Sequence, residues 1–344
     1  MEAVFLRAVF AFFISFLVTF YLVPLCIKIA RRLQFIDEPD GKIKQHKQAT
    51  PYLGGVAVYV GFLAAFCLTF PFENSILLFF AGSTLLLFVG LIDDLVVLRP
   101  SQKFFGQILA TICFLKAGLF LKTQFFSNYW NIPISAFWIL SVINAFNLVD
   151  VMDGLATLLA IGATASFLTL AIFFNMPMVI VLLSAFLGPL VAFFWYNKPT
   201  AQIYLGDAGS LFIGGFLATI PFLFNWGVYT ASGYLTPLII LAIPLLEVST
   251  LVIVRSYKKI PFYRGSPDHF SIYLQQNGWP KVLILGYVAL LSIILGGTSF
   301  LFITNRVSFC LLCLSAGVFL AVWGAILWLK IPKKDNILVK NSRD

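Results

Sequence analysis

Apolar runs long enough to cross a bilayer recur along this chain from one end to the other. A helix needs about 20 mainly apolar residues to span the hydrocarbon core. Eleven runs of that order can be read: 5–30, 54–71, 76–92, 104–121, 132–148, 156–174, 177–196, 210–226, 235–254, 282–304 and 308–329. Short gaps containing polar residues, Pro or Gly separate them. The last two are parted only by Thr304, Asn305 and Arg306, the sixth and seventh by Asn175 and Pro177. Charged residues are 11% of the 344 and hydrophobic residues 60%, whereas a soluble globular chain carries roughly 25% charged residues. So little charge cannot wet the surface of a soluble enzyme. The composition equally excludes a disordered chain, a secreted disulfide scaffold and a collagen-like fibre. The expectation is an all-α fold, a polytopic membrane helix bundle of about 11 transmembrane helices, with residues 1–344 forming one integral membrane domain.

Orientation follows from the basic residues, because short cytoplasmic loops retain Lys and Arg. With the N-terminus outside and the runs alternating, 19 of the 23 Lys and Arg fall on the inner side. Arg7, Lys116, Lys122 and Arg306 remain near the outer side. The predicted topology is N-terminus out and C-terminus cytoplasmic. The net charge of +9 is then mostly a topology signal and partly a surface facing anionic headgroups. It calls for no nucleic-acid partner. The first run is longer than a signal-peptide core and lacks a small-residue cleavage pattern, so it reads as the first span. Cys310 and Cys313 form a lone C-x-x-C without a second ligand pair. With Cys26, Cys67 and Cys113 they read as packing residues.

Carboxylates are expensive to bury in a bilayer, so acids beside spans mark function. Of only 14 acids, 11 fall on the inner side. Asp93, Asp94, Asp150, Asp153 and Asp207 lie where apolar runs meet three different cytoplasmic loops, at one membrane depth. Any one of them alone would read as a helix cap or a solvated loop residue. Together they repel unless a cation neutralises them, and hard oxygen donors point to magnesium rather than zinc. Glu247 sits within a span, where a hydrogen bond inside the bundle is the favoured reading.

Three cytoplasmic stretches carry the pattern. In Asn144-x-x-Asn147-x-x-Asp150-x-x-Asp153-Gly154 the polar residues step by three, which winds round a straight helix. They converge only if the helix breaks near Asp150, as Gly154 allows. Gly206-Asp207-Ala208-Gly209-Ser210 places an acid between glycines just ahead of a span, where backbone can approach a phosphate. The loop 31–53 is the most basic, with Arg31, Arg32, Lys42, Lys44, His46 and Lys47 ahead of Thr50-Pro51-Tyr52-Leu53-Gly54-Gly55. It reads either as plain positive-inside charge or as an anion clamp. Loops about 31–53, 93–103, 149–155, 197–209 and 255–281 would form the active-site face.

In order, the chain carries Asp37-x-Pro39, Lys44-x-His46-Lys47-x-x-Thr50-Pro51-x-x-Gly54-Gly55 and Gly90-x-x-Asp93-Asp94. The Asn144–Gly154 run and Gly206-Asp207-x-Gly209-Ser210 follow. This set resembles the polyprenyl-phosphate N-acetylhexosamine-1-phosphate transferases, a superfamily that includes the phospho-N-acetylmuramoyl-pentapeptide translocase. The resemblance spans residues 37 to about 280. It implies transfer of a sugar-1-phosphate from a UDP-amino sugar to polyprenyl phosphate, with UMP released, in a bacterial cytoplasmic (inner) membrane. It implies Mg2+, with Mn2+ as an alternative. By the family pattern Asp207 is the best metal ligand and Asp150 a second. Asp93 is the base or lipid-phosphate positioner, with Asp94 beside it. Asp150, Asp153 and Asn147 hold the diphosphate or the metal. Lys44, Lys47, Asn197, Arg264 and His269 are the further substrate-binding positions, and a homodimer is compatible with such a bundle.

Two departures stand out. Val151 replaces the Gly usual after Asp150, and Ser266-Pro267-Asp268-His269-Phe270-Ser271 keeps one His where the family carries several. Eleven spans and the form of the first motif favour the N-acetylglucosamine branch over the pentapeptide translocase, with other amino sugars open. A non-catalytic relative and an ion-coupled transporter are the rival readings. The second would show charge inside several spans and repeated halves, and neither is evident in the sequence.

Overall fold

The computed structural model describes residues 2–37, 50–70, 74–123, 128–230, 232–259 and 267–328. The first seven helices are α1 (Glu2–Arg32), α2 (Gly54–Thr69), α3 (Asn74–Val96), α4 (Pro100–Lys116), α5 (Asn128–Val149), α6 (Leu155–Phe173) and α7 (Pro177–Asn197). They are followed by α8 (Gly206–Thr219), α9 (Trp226–Tyr229), α10 (Thr236–Ile240), α11 (Ala242–Tyr257), α12 (Phe270–Gln276), α13 (Lys281–Ile303) and α14 (Phe309–Trp328). The one strand pairing among the described residues is antiparallel, β1 (Ile36–Asp37) with β2 (Thr50–Pro51). The fold is all-α in every other respect.

Helix occupies most of every apolar run. Among the described residues seven helices are long and apolar enough to cross a membrane, and eight if α10 and α11 count as one broken span. The apolar α2, at 16 residues, is shorter than these. Among the described residues, length and apolarity alone therefore give fewer than the expected eleven. The run read as 235–254 is not one straight helix: α10 and α11 meet at 73°. Pro244, in the first turn of α11, has no N–H to give the carbonyl of Ile240, so the helix cannot run straight through.

Burial in α1 inverts the pattern of a soluble helix. Its buried positions are Ala8, Ala11, Ser15, Thr19, Val23, Cys26 and Ala30, spaced three or four apart. Phe5, Phe10, Phe13, Tyr21 and Leu25 stay at least half exposed. Lipid is as apolar as Leu, so large side chains gain nothing by turning inward and small ones let backbones approach. This face of α1 packs on α7 and α2. At the centre lies α8, buried along its whole length except at Asp207. It packs against α2, α3 and α5. Its own Phe212 and Phe216 meet the rings of Phe62 and Phe186 from α2 and α7, with Phe186 stacked on Phe216 at 3.6 Å.

Candidate active site

The N-terminus of α8 is fixed by its neighbours' backbones. Gly54 and Gly55 donate their N–H groups to the carbonyls of Tyr204 and Leu205, at 3.1 and 2.9 Å. A Cβ on Gly55 would lie 2.2 Å from the nitrogen of Gly209. The Gly pair that ends the first motif therefore packs α2 onto the Gly-Asp-x-Gly-Ser turn. On the other side Gly90 of α3 lies so close to α8 that a Cβ would meet the Asp207 carbonyl oxygen at 2.3 Å. That contact lets Asp94, one turn further on, cap the helix. Its two carboxylate oxygens accept the N–H groups of Asp207 and Ala208 at 2.8 and 3.1 Å. A carboxylate on free N–H groups at a helix N-terminus is favourable both as a cap and against the dipole.

Asp207 then projects into a polar cluster built from four helices. Lys103, one turn into α4, places Nζ 2.6 Å from Asp207 Oδ2, 2.8 Å from Asp93 Oδ2 and 3.1 Å from Asn147 Oδ1. Asn147 on α5 donates through Nδ2 to Asp207 Oδ1 at 2.6 Å and to Ser210 Oγ at 3.0 Å. The Leu98 N–H holds Asp93 at 2.6 Å. Burial disfavours the charge on Lys103, but the Asp207 and Asp93 carboxylates outweigh it and raise its pKa. The side chain stays an ammonium.

The predicted break after α5 is present. The helix ends at Val149, and Gly154 enters α6 at φ +75°. Asp150 and Asp153 occupy the gap. Asp153 accepts from Lys281 Nζ, at the start of α13, at 2.8 Å. Asp150 has no hydrogen-bond or ion-pair partner among the described residues. Burial, then the charges of Asp207, Asp94 and Asp153, hold its carboxyl well above the usual carboxylate range. A carboxyl crowded by the charges of Asp207, Asp94 and Asp153, with no ion-pair partner of its own among the described residues, suits a hard divalent ion. Among the described residues no three Asp, Glu, His or Cys converge on one point. Mg2+ does not require that, since it is commonly held by one or two carboxylates plus water and substrate phosphate.

Other predicted positions fall differently. Asn197 is buried: its Oδ1 accepts from the Gly154 N–H (3.1 Å) and Thr157 Oγ1 (3.0 Å), while Nδ2 donates to the Ile203 carbonyl (3.0 Å). It ties the α7 end to the Asp150–Gly154 gap. His269 is buried against Glu247, whose carboxylate does serve a hydrogen bond inside the bundle. Val151 is exposed in the gap. Lys44, Lys47 and Arg264 lie outside the described residues.

Two cations escape the sequence reading. Lys103 and Lys281 register there only as positive-inside charge. A signal was available for Lys103, because a cation in a helix's first turn opposes the dipole. Its presence ten residues after Asp93, at the same depth, calls for carboxylate partners.

Comparisons with known proteins give the family. Residues 76–225 match the model of glycosyl transferase family 4. The chain is 27% identical over 277 residues to a probable undecaprenyl-phosphate N-acetylglucosaminyl 1-phosphate transferase of Bacillus subtilis (strain 168), covering 78% of this chain and 76% of that one. It is 30% identical over 325 residues to a phospho-N-acetylmuramoyl-pentapeptide-transferase of Pelobacter propionicus, covering 81% and 88%. The corresponding transferase of Staphylococcus haemolyticus is 28% identical over 316 residues, covering 82% and 96%. The model match takes in Asp93, Asp94, Lys103, Asn147, Asp150 and Asp207 together, and on these grounds the chain belongs to glycosyl transferase family 4, the polyprenyl-phosphate N-acetylhexosamine-1-phosphate transferases.

Proposed function

We propose that the protein transfers a sugar-1-phosphate, GlcNAc-1-phosphate first among the options, from a UDP-N-acetylhexosamine to undecaprenyl or a related polyprenyl phosphate. The products are a polyprenyl-diphosphate-sugar and UMP. One observation carries the reading: Asp93, Lys103, Asn147 and Asp207 converge from four helices at one end of an apolar bundle. That is where a water-soluble nucleotide and a lipid-borne phosphate can meet.

In this reaction a polyprenyl-phosphate oxygen bonds to the sugar-bearing phosphorus while the bond between that phosphorus and the UMP oxygen breaks. A phosphate monoester has its second pKa near ~6, so the nucleophile is already largely dianionic and needs no strong base. The barrier is chiefly charge, as several negative oxygens are brought together. Lys103 answers it as a fixed ammonium between Asp93 and Asp207. Asn147 orients Asp207, and Asp94 works through the helix it caps. Asp153, tied to Lys281, and Asn197 shape the gap that would receive the nucleotide; Lys44, Lys47 and Arg264 would meet its phosphates. Asp207 and Asp150 are the residues that would hold Mg2+, which when bound would supply charge neutralisation at the phosphates. The same reading has the N-terminus outside, eleven crossings and the site on the cytoplasmic face of a bacterial inner membrane.

A second reading, transfer of phospho-MurNAc-pentapeptide, is favoured by the greater coverage of the relatives that carry that name. The test uses purified full-length protein in detergent with Mg2+, undecaprenyl phosphate and radiolabelled UDP-GlcNAc, with UDP-MurNAc-pentapeptide and other UDP-amino sugars in parallel. Lipid-linked label and UMP in equal amounts are expected. Absence of product with every donor would sink the enzyme reading, and product from the pentapeptide donor alone would replace GlcNAc.

A further inference from the structure

A second group of buried charged side chains, unused in the mechanism above, lies where α11, α12 and α14 meet. Glu247 is 1% exposed on the buried face of α11, the helix that packs against α5. A carboxylate buried so deeply must be hydrogen-bonded to persist. Its Oε1 faces His269 Nδ1 at 3.0 Å and accepts the Phe270 N–H at 3.2 Å. Trp323 of α14 grips the same dipeptide from another direction. Its ring packs on Phe270 with centroids 4.9 Å apart, and its Nε1 donates to Thr250 Oγ1 at 3.2 Å. Thr250 lies one turn beyond Glu247. Just before His269, Asp268 accepts from Lys258 and from the Tyr273 hydroxyl.

The chemical consequence concerns the imidazole. A carboxylate on Nδ1 fixes the ring's orientation and tautomer, so that Nδ1 carries a proton and Nε2 is the nitrogen left for a ligand. No partner for Nε2 is found among the described residues. A His with one such anchor has a defined direction even though it stands alone where relatives carry several.

We propose that Glu247 and Trp323 are positioning residues that hold His269 with Nε2 directed at the UDP-sugar, which makes α14 part of the substrate-binding apparatus. The proposal rests on the reading of His269 as a substrate contact. Its test is a double-mutant cycle on the full-length enzyme in detergent, with kcat and KM measured separately for the UDP-sugar that wild type uses and for polyprenyl phosphate. Glu247→Ala and Trp323→Ala should each raise the UDP-sugar KM about tenfold, the lower end of what loss of a supporting hydrogen bond does to a liganding His. The polyprenyl-phosphate KM should stay within about twofold. Trp323→Phe, which keeps a ring on Phe270, should stay near wild type. In a His269→Ala background Glu247→Ala should add nothing to the UDP-sugar KM, because Glu247 reaches that substrate only through the imidazole.

Unchanged UDP-sugar KM in both alanine variants would overturn the proposal. So would additive effects in the cycle, or equal loss of KM for both substrates, which mark a general packing role. If Glu247→Ala fails to fold, Glu247→Asp carries the test: it keeps the carboxylate but not its reach, and should show the same selective rise in the UDP-sugar KM. A wild-type KM in His269→Ala would instead remove the reading of His269, while the wild-type assay still stands for the reaction itself.

Discussion

Replacing Lys103 by Met is the sharpest perturbation of the site. Met keeps the length and apolar stem but removes the ammonium that lies 2.6 Å from Asp207 and 2.8 Å from Asp93. The two carboxylates are then left facing each other without their cation. Breaking a fully buried pair by removing one partner costs about 3–5 kcal/mol. The side chains here are 17%, 32% and 10% exposed for Lys103, Asp207 and Asp93, so water screens part of that. About 2–3 kcal/mol is the appropriate figure. If the cation serves the transition state, where phosphate charge accumulates, that amount lowers kcat/KM by roughly 30- to 150-fold. Lys103→Arg keeps the charge but offers a planar fork instead of a point charge, and should fall between the two. The assay is initial-rate transfer of labelled sugar-1-phosphate to polyprenyl phosphate, with the thermal midpoint of each variant in the same detergent. A Lys103→Met enzyme with kcat/KM within threefold of wild type would refute the placement of this ammonium at the reacting phosphates.

Further outcomes follow from neighbouring contacts. Asp94→Asn removes the anion from the α8 N-terminus and should lower stability by about 0.3–1 kcal/mol, read as a fall in Tm accompanying any loss of activity. Asp207→Asn should abolish product with a much smaller change in Tm; a parallel fall in both variants would mean that Asp207 is structural. Gly90→Ala introduces a Cβ 2.3 Å from the Asp207 carbonyl and should cost about 1–3 kcal/mol by overpacking; Tm and transfer rate check it, and a wild-type Tm would contradict the α3–α8 contact. Chelation by EDTA should stop transfer, and added Mg2+ should restore it. Asp150 gives a pH dependence. Its raised pKa means that the folded protein holds this proton at pH values where the unfolded chain, with a carboxyl pKa near ~3.9, has released it. The stabilisation is complete at low pH and is lost as pH rises through the raised value. In EDTA, Tm should therefore fall as pH rises from the unfolded carboxyl range near ~3.9 towards the raised value, less so in Asp150→Asn. Mg2+ at the higher pH should recover it through binding to the ionised site. An identical slope in wild type and Asp150→Asn would reassign the effect.

What could be read from the residues, and what could not, divides along a physical line. Carboxylates at the ends of apolar runs are legible because nothing in lipid tolerates them without a purpose, so Asp93, Asp94, Asp150, Asp153 and Asp207 stand out as a set, although any one alone would pass for a cap or a loop residue. The break at Asp150–Gly154 is legible because a three-residue step cannot stay on one face of a helix. Lys103 is hidden by the same rule that reveals topology: every inner-side Lys already has an explanation, so the one between two carboxylates looks like the rest. The capping role of Asp94, though not its place in the site, is hidden for a different reason. Asp94 neighbours Asp93 in sequence, but one carboxylate meets an ammonium and the other meets two backbone N–H groups. That difference is created by the Gly90 contact with α8, more than a hundred residues away. The bend between α10 and α11 lies beyond hydropathy altogether, since an apolar run has length but no direction. Glu247 shows where this leads. A lone acid within an apolar run can be read as a bundle-internal hydrogen bond, but the partner that gives the bond meaning, His269, becomes visible only once α11 and α12 are folded together. Sequence therefore locates charge that must be neutralised, and packing decides whether the neutralising group is a lysine, a helix end, a histidine or a metal ion.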